Sequence, residues 1–553
     1  MFQALKNNIE KLQKDNALKN DLFPIPRVVR DAFGLVTLLK ERYLWVDCLC
    51  IVQDDEETKM AQINNMASIY ANSYATIVVA DGKDANHGLR GIKGVSQSRK
   101  VAWKSDDLDD RFKLLQNHHS RLKRSVWWSR GWTLQEFVFS QRAIIFHDDI
   151  ASWECHCAIW DEAMEACQAL NKSPEMNSES SPCQERYSNQ ARGLQFSPWP
   201  NLDQYMLLVC AYNSRQLTFE KDVLAAFKGV TNVLSRTFKG GFLCGLPEMF
   251  FDVALLWQPQ RPLKRRAGLP SWSWVGWEGK IDPDSWRCGY GYVKSKGLMS
   301  DHYTSWNISS SILKWHTKST TNEDGRAIIN SSQKYRNKYL DSDEDDLPSG
   351  WSRHYENQYP KTETCRPYEN QYPRTETYRH DSDKKTQFSY PIPILDQTEK
   401  PDIFPTTLLL CCRTRRAWFR IGPSMRRNPH THHECSSVVL KDPVGTWAGV
   451  LRLNKSHLSL YTFFLDSDAE GQACELIAIS RGFARNGKDE SYFLEEWTDP
   501  KRRGFQRYDS LYEFYNVLWI EWKDGVAYRK ALGRVVKDIW DRQALEWIDI
   551  TLG

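Results

Sequence analysis

At 553 residues, with 26% charged and 41% hydrophobic side chains and a formal net charge of only +4, the chain has the make-up of a globular protein and presents no electrostatic case for nucleic acid. No run approaches the roughly 18 apolar residues of a membrane span, and the first residues lack the basic start and apolar run of a signal peptide, so the sequence predicts a soluble, cytoplasmic protein. The length suggests about three structural units; the 14 cysteines read as reduced, small apolar groups, and the 23 tryptophans as aromatic-rich cores in preference to a recognition surface.

Residues 1–22 form a polar arm with a weak helical spacing (Phe2, Leu5, Ile9, Leu12) that stops at Phe23-Pro-Ile-Pro26. From Arg27 to Arg42 the apolar positions Val28, Val29, Ala32, Phe33, Val36 and Leu39 keep helical period, and Tyr43 to Val46 then reads as a buried strand. The pair is repeated downstream: a helix from Glu56 to Tyr70 precedes a strand from Tyr74 to Ala80 and a Gly-containing loop, Asp81 to Gly91. Arg130-Gly-Trp-Thr-Leu-Gln-Glu136 opens a further helix, and Arg142–Phe146 and Ala151–Cys155 are strands, which makes the N-terminal part α/β.

Residues 171–200, rich in Ser, Asn, Gln and Pro, predict an exposed excursion, and helices return at Leu202–Tyr212 and Val223–Leu234 in an α-rich, Trp-rich middle region, 201–307. Within 308–400 the run Arg353-His-Tyr-Glu-Asn-Gln-Tyr-Pro-Lys-Thr-Glu-Thr-Cys365 recurs as Arg366-Pro-Tyr-Glu-Asn-Gln-Tyr-Pro-Arg-Thr-Glu-Thr-Tyr378. Two copies are too few for a solenoid core, and the polar, Pro-containing composition predicts a disordered insertion. Residues 401–553 carry short strand-like runs (Thr407–Cys411, Ala473–Ile479, Tyr515–Ile520) and predict a mostly β region, closed by a helix around Val535–Trp540 and a strand near Trp547–Leu552.

The chain lacks a P-loop, a dinucleotide fingerprint, a Gly-x-Ser-x-Gly elbow and a His-Glu-x-x-His pair. Gly88-Leu-Arg-Gly-Ile-Lys-Gly94 offers only a weak backbone anion nest. Cys155-His-Cys157 and His430-Thr-His-His-Glu-Cys435 lack the spacing of a four-ligand zinc site, so no metal is predicted. Two motifs remain. Tyr43-Leu-Trp-Val-Asp-Cys-Leu-Cys-Ile-Val-Gln-Asp-Asp55 sets Asp47, Gln53 and Asp54 behind an apolar run, where open α/β sheets place ligands, or where short acids cap turns and helices. Arg130, Trp132 and Glu136 put an indole and a carboxylate at i and i+4 on one helical face, where they flank a ligand or form a helix start with Glu136 paired to Arg130 or Arg142.

In order and spacing, these two motifs and Met66-Ala-Ser-Ile-Tyr-Ala-Asn-Ser-Tyr-Ala-Thr-Ile77 between them resemble the central blocks of the heterokaryon-incompatibility (HET) domain of filamentous fungi. Tyr212-Asn-Ser-Arg-Gln-Leu-Thr218, Asp222–Ala226, Gly245-Leu246 and Leu269–Trp277 resemble the region that commonly follows it. The resemblance implies an effector of fungal non-self recognition that triggers growth arrest or programmed cell death. It further implies a domain distantly similar to TIR domains, flavodoxin-like modules that self-associate, some of which cleave NAD. On that footing Asp47 and Glu136 are the candidate catalytic acids, Gln53, Asp54, Arg130 and Trp132 the candidate binding residues, NAD a candidate substrate but not a cofactor, and protein partners or further copies the expected associates.

HET domains usually begin with a Tyr-x-x-Leu-Ser-Tyr-x-Trp-Gly-like block, and the polar arm 1–22 stands in its place, so the domain is expected at 23–170 without its first strand. An inactive, degenerate copy or a non-enzymatic interaction module is the alternative reading, and the residues alone do not decide whether the chain is an enzyme.

Overall fold

The computed structural model describes residues 2–18, 23–99, 120–147, 149–155, 159–162, 199–238, 240–289, 293–295, 307–318, 326–328, 349–356, 375–388, 409–425, 433–454, 472–485, 494–498 and 511–553. Two compact units emerge, Met1–Gln195 with Arg215–Val230, and Phe196–Ser214 with Thr231–Gly553. The N-terminal unit mixes helices and strands, and the C-terminal part of the chain is rich in strands.

In the first unit, helix α1 (Ile9–Leu12) lies in the polar arm and α2 (Arg27–Leu38) starts directly after Pro26, whose fixed φ suits a helix entrance. Val29, Ala32 and Leu35 of α2 face the core. The buried Asp31 carboxylate accepts the Leu89 N–H at 2.8 Å, with Arg27 at 3.8 Å. A Cβ on Gly88, at φ +79°, would stand 2.6 Å from that carboxylate. The 88–94 loop therefore spends an amide on an internal carboxylate, which leaves that amide unavailable to the weak anion nest of Gly88–Gly94.

The expected strand Tyr43–Val46 is not one. Tyr43 is 83% exposed, and Leu44 packs beside Ile77 and Val79 without joining a ladder. The run is apolar enough to lie on the sheet, but at Asp47 the chain turns into a one-turn helix, α3 (Asp47–Cys50). Cys48 is buried as expected of a small apolar group, whereas Cys50 is exposed. Helix α4 (Glu56–Asn72) buries Met66 and Tyr70 and leads into strand β1 (Thr76–Val79).

One-turn helix α5 (Val126–Ser129) and helix α6 (Thr133–Phe139) follow, then strands β2 (Arg142–His147), β3 (Ile150–Cys155) and β4 (Ile159–Asp161). The sheet order is β1-β2-β3-β4, parallel between β1 and β2 and antiparallel beyond. Alternate side chains supply its two faces: Val78 and Ile145 meet Leu122 and Trp127, while Ile77, Val79, Ile144 and Phe146 meet Ala32, Leu35, Leu89 and Ile92. A wholly parallel, flavodoxin-like order is not what the described strands form, because β2, β3 and β4 are joined as hairpins.

The second unit contains helix α7 (Leu202–Asn213) and a tryptophan core. Trp257, Trp272, Trp274 and Trp286 are fully buried; Trp257 Nε1 donates to the Trp272 carbonyl at 2.9 Å, Trp274 Nε1 to the Tyr205 hydroxyl at 3.2 Å and Trp286 Nε1 to the Ala254 carbonyl at 3.3 Å. Helix α8 (Val223–Leu234) belongs to the first unit as far as Val230.

Strands β5 (Leu409–Ser424), β6 (Ser437–Lys441), β7 (Trp447–Leu453), β8 (Ala473–Arg485), β9 (Leu511–Lys523) and β10 (Val526–Val536) close on themselves, each hydrogen-bonded to the next around the ring β5-β8-β9-β10-β7-β6-β5. Closure removes edges. Helix α9 (Lys537–Asp541) places Trp540 in the barrel core, stacked on Phe419 at 5.7 Å, and strand β11 (Glu546–Leu552) returns along β5. Gly449 and Gly533 let β7 and β10 approach: a Cβ on either would fall 2.0 or 1.9 Å from a carbonyl oxygen of the other strand.

Within 308–400, expected to be a disordered insertion, the described residues include strands. Trp351–Glu356, Thr375–His380 and Asp383–Phe388 pair in sequence, and Val293–Ser295 joins the last. The first four residues of one repeat copy pair with the last four of the other, Arg353 opposite Tyr378 through Glu356 opposite Thr375. Thr, Tyr and Trp at alternating positions suit a strand, and Tyr378 and Phe388 supply its buried side. Residues 357–374, most of 171–200, His156, Cys157 and 430–432 lie outside the described residues.

Candidate functional site

The polar arm is built into the 47–55 motif. Ala4, with no exposed surface, donates its N–H to the Cys48 carbonyl at 2.8 Å and accepts the Gln53 N–H at 2.9 Å. Asp54 accepts the Lys6 N–H at 2.9 Å, and the Lys6 ammonium stands 3.4 Å from Asp55. Gln53 donates its amide to the carbonyls of Asp47 (3.1 Å) and Ile51 (3.2 Å). Gln53 and Asp54 therefore hold the loop that presents Asp47. Asp47 is exposed, and one of its oxygens accepts the N–H of Cys48, the next residue, at 2.7 Å within the one-turn helix.

The second motif is a kinked helix pair. Ser125 caps α5 by accepting the Trp128 N–H at 3.1 Å, and Arg130 then adopts an extended conformation that separates α5 from α6. Within this kink the buried Thr133 hydroxyl lies 2.8 Å from the Trp127 carbonyl and 2.7 Å from that of Arg130. Segment 215–217 braces the kink from outside: Gly131 donates its N–H to Gln216 O at 2.7 Å, and Gln216 donates to Ser129 O at 2.6 Å. A Cβ on Gly131 would lie 2.4 Å from Leu217 Cδ2, so a larger residue there would have to push the Leu217 side chain aside. Gln135 anchors the far side by donating to the Ala226 carbonyl at 2.9 Å.

Glu136 is half-buried, and its Oε2 accepts the Trp127 indole N–H at 2.9 Å. The indole on this carboxylate is thus Trp127, an immediate part of the sheet core, and not Trp132, which sits half-buried at the entrance of α6. Among the described residues Glu136 makes no ion pair with Arg130 or Arg142; Arg142 bonds the Tyr74 carbonyl instead at 3.3 Å. Burial pushes the Glu136 carboxyl above its ordinary range, with the Asp47 charge adding to the rise, against the Trp127 hydrogen bond and the Arg130 and Arg215 charges. The buried Tyr70 phenol is raised by burial and then by the Glu136 and Asp47 charges, and its ring meets Trp45 edge-on at 5.8 Å. Asp47, Tyr70, Arg130, Glu136 and Arg215 consequently act on one electrostatic environment, although they come from four segments of the chain.

Such a pair, an exposed carboxylate and a half-buried carboxyl whose proton is held to higher pH, is the arrangement by which two acids take different roles. The same geometry also satisfies a buried indole, which is the structural use of Glu136. Among the described residues, no group of three or more His, Cys, Asp or Glu is placed to hold a metal ion, and no helix is long and apolar enough to cross a membrane. Tyr70, Trp127, Thr133 and Arg215 were not among the residues expected from sequence; the Trp127-Trp128 pair and the Arg within Tyr212–Thr218 were the available signals.

No curated protein and no solved structure matches the chain. Residues 3–136 match the family model described as "Heterokaryon incompatibility protein (HET)", a span that takes in both motifs and the polar arm that holds the first of them. This chain therefore carries a heterokaryon-incompatibility (HET) domain.

Proposed function

We propose that the protein is a cytoplasmic effector of fungal heterokaryon incompatibility, whose HET domain triggers growth arrest or programmed cell death when non-self is sensed. What supports the reading is the family-model match over residues 3–136, which takes in both motifs, together with the charges of Asp47 and Arg130 acting on the Glu136 carboxyl. Self-association or a protein partner supplies the trigger, as the TIR-like kinship implied by the resemblance suggests.

The chemistry this cluster favours is hydrolysis of a nicotinamide glycosidic bond, with NAD as substrate. Asp47 or Glu136 steadies the oxocarbenium-like centre, and an aromatic face stacks on the base. Regulated expression in a fungal host tests the effector role. Growth arrest by the wild type and normal growth with Trp132→Ala, Glu136→Ala at equal protein level is expected; equal growth of both discards the role. Nicotinamide release from NAD by the purified chain tests the chemistry, and turnover that survives both Asp47→Ala and Glu136→Ala discards the site assignment. Arrest without turnover favours the non-enzymatic interaction module.

A further inference from the structure

We infer that Arg215, beyond the family-matched span, is the positioning residue of the Glu136 site: it grips the Arg130–Thr133 kink and stacks on Trp128, and so fixes the direction in which Glu136 is presented. Arg215 is 1% exposed. Its Nη1 donates to the Thr133 hydroxyl at 2.8 Å and to the Arg130 carbonyl at 3.4 Å, and the guanidinium lies 4.2 Å from the Trp128 ring centroid. A planar fork that meets a hydroxyl, a carbonyl and an indole face at once is a task for Arg, since the Lys ammonium is a point charge on a flexible stem.

The neighbouring backbone points the same way. Gln216 bridges Ser129 and Gly131, so Arg215 enters the kink from a strand-like contact registered to it. Trp128 adjoins Trp127, the donor to Glu136, and both rings pack on Phe137 at 4.9 and 6.4 Å. Moving the guanidinium therefore disturbs the ring pair that orients the carboxylate. Segment Arg215–Val230 belongs to the first compact unit, the one that carries the family-matched span.

The consequence for function rests on the reading of Glu136 as the working acid, so the test separates the two. The full chain is labelled with carbon-13 at Glu side-chain carboxyls, the Glu136 signal is assigned with Glu136→Gln, and its titration is followed in wild type, Arg215→Met and Thr133→Val. Both variants are expected to move the Glu136 titration to higher pH, Arg215→Met by more, and to abolish growth arrest in the fungal host. A folded Arg215→Met whose Glu136 titrates as in wild type overturns the inference, and if that variant fails to fold, an unchanged titration in Thr133→Val does so. Should the wild type itself cause no arrest, the effector reading fails, while the titration still decides whether Arg215 positions Glu136.

Discussion

At the scale of single residues, Glu136 serves as the acceptor of a buried indole and as a carboxyl with a displaced proton. Its folded-state affinity for the proton is raised, so ionising it costs stability as the pH climbs from the unfolded value of about 4.3. Glu136→Gln is expected to leave the protein as stable or more stable at pH 7, with a weaker fall in stability across the mildly acidic range, and to lose activity. Thermal melts at several pH values check the sign. Trp127→Phe keeps most of the ring volume but removes the N–H, and should cost about 1–3 kcal/mol in chemical denaturation. A further loss of stability on adding Glu136→Gln to Trp127→Phe would contradict the assigned bond.

At the scale of elements, what the described arm, residues 2–18, contributes is a brace. Ala4 has no exposed surface and exchanges two backbone bonds with the 48–53 segment. Ala4→Leu is expected to destabilise the first unit by roughly 1–3 kcal/mol through overpacking, and to speed amide exchange at Gln53 before any change in the β1 or β2 amides. In the barrel, Trp540 on α9 is fully buried against Phe419. Truncation to Ala should cost about 3–5 kcal/mol, read as a lower midpoint for the C-terminal unit in proteolysis. These two elements show why period alone misled at Tyr43–Val46: an apolar run can lie on a sheet without pairing, and pairing is a property of the neighbour.

For the whole molecule, one buried carboxyl in each unit answers acid with opposite sign. The second unit buries an ionic cluster: Arg452 bonds both Glu495 and Asp282, His433 stands 2.9 Å from Glu495, and Arg534 grips Glu496 with two bonds of 2.7 and 2.8 Å. Burial pushes the Glu495 carboxyl upward, but the Arg452 charge, the His433 bond and charge and the Arg534 charge outweigh it and hold it well below the usual range. A depressed folded value gives stability that is present above the unfolded value of about 4.3 and is lost as the pH falls below it. Glu136 has the reverse sign. Acidification below about pH 4.3 is therefore expected to open the barrel unit to protease before the HET-domain unit, as peptide mapping would reveal; the opposite order would refute the cluster's role.

Sequence by itself determined the family, through the order and spacing of short motifs that mix tryptophan, arginine and acids, and it determined most helices and the β-rich C-terminal region, because period and β-branched content are local properties. It also identified Asp47, Arg130 and Glu136 as candidates. Only tertiary structure decided that Trp127 and not Trp132 meets Glu136, that Gln53 and Asp54 serve the loop while the polar arm is fixed against it, that the repeat's ends pair as strands, and that six strands close a barrel. Each of these depends on partners far away in the chain, and a hydrogen bond, an ion pair or a ring closure has no signature in the residues of one partner alone.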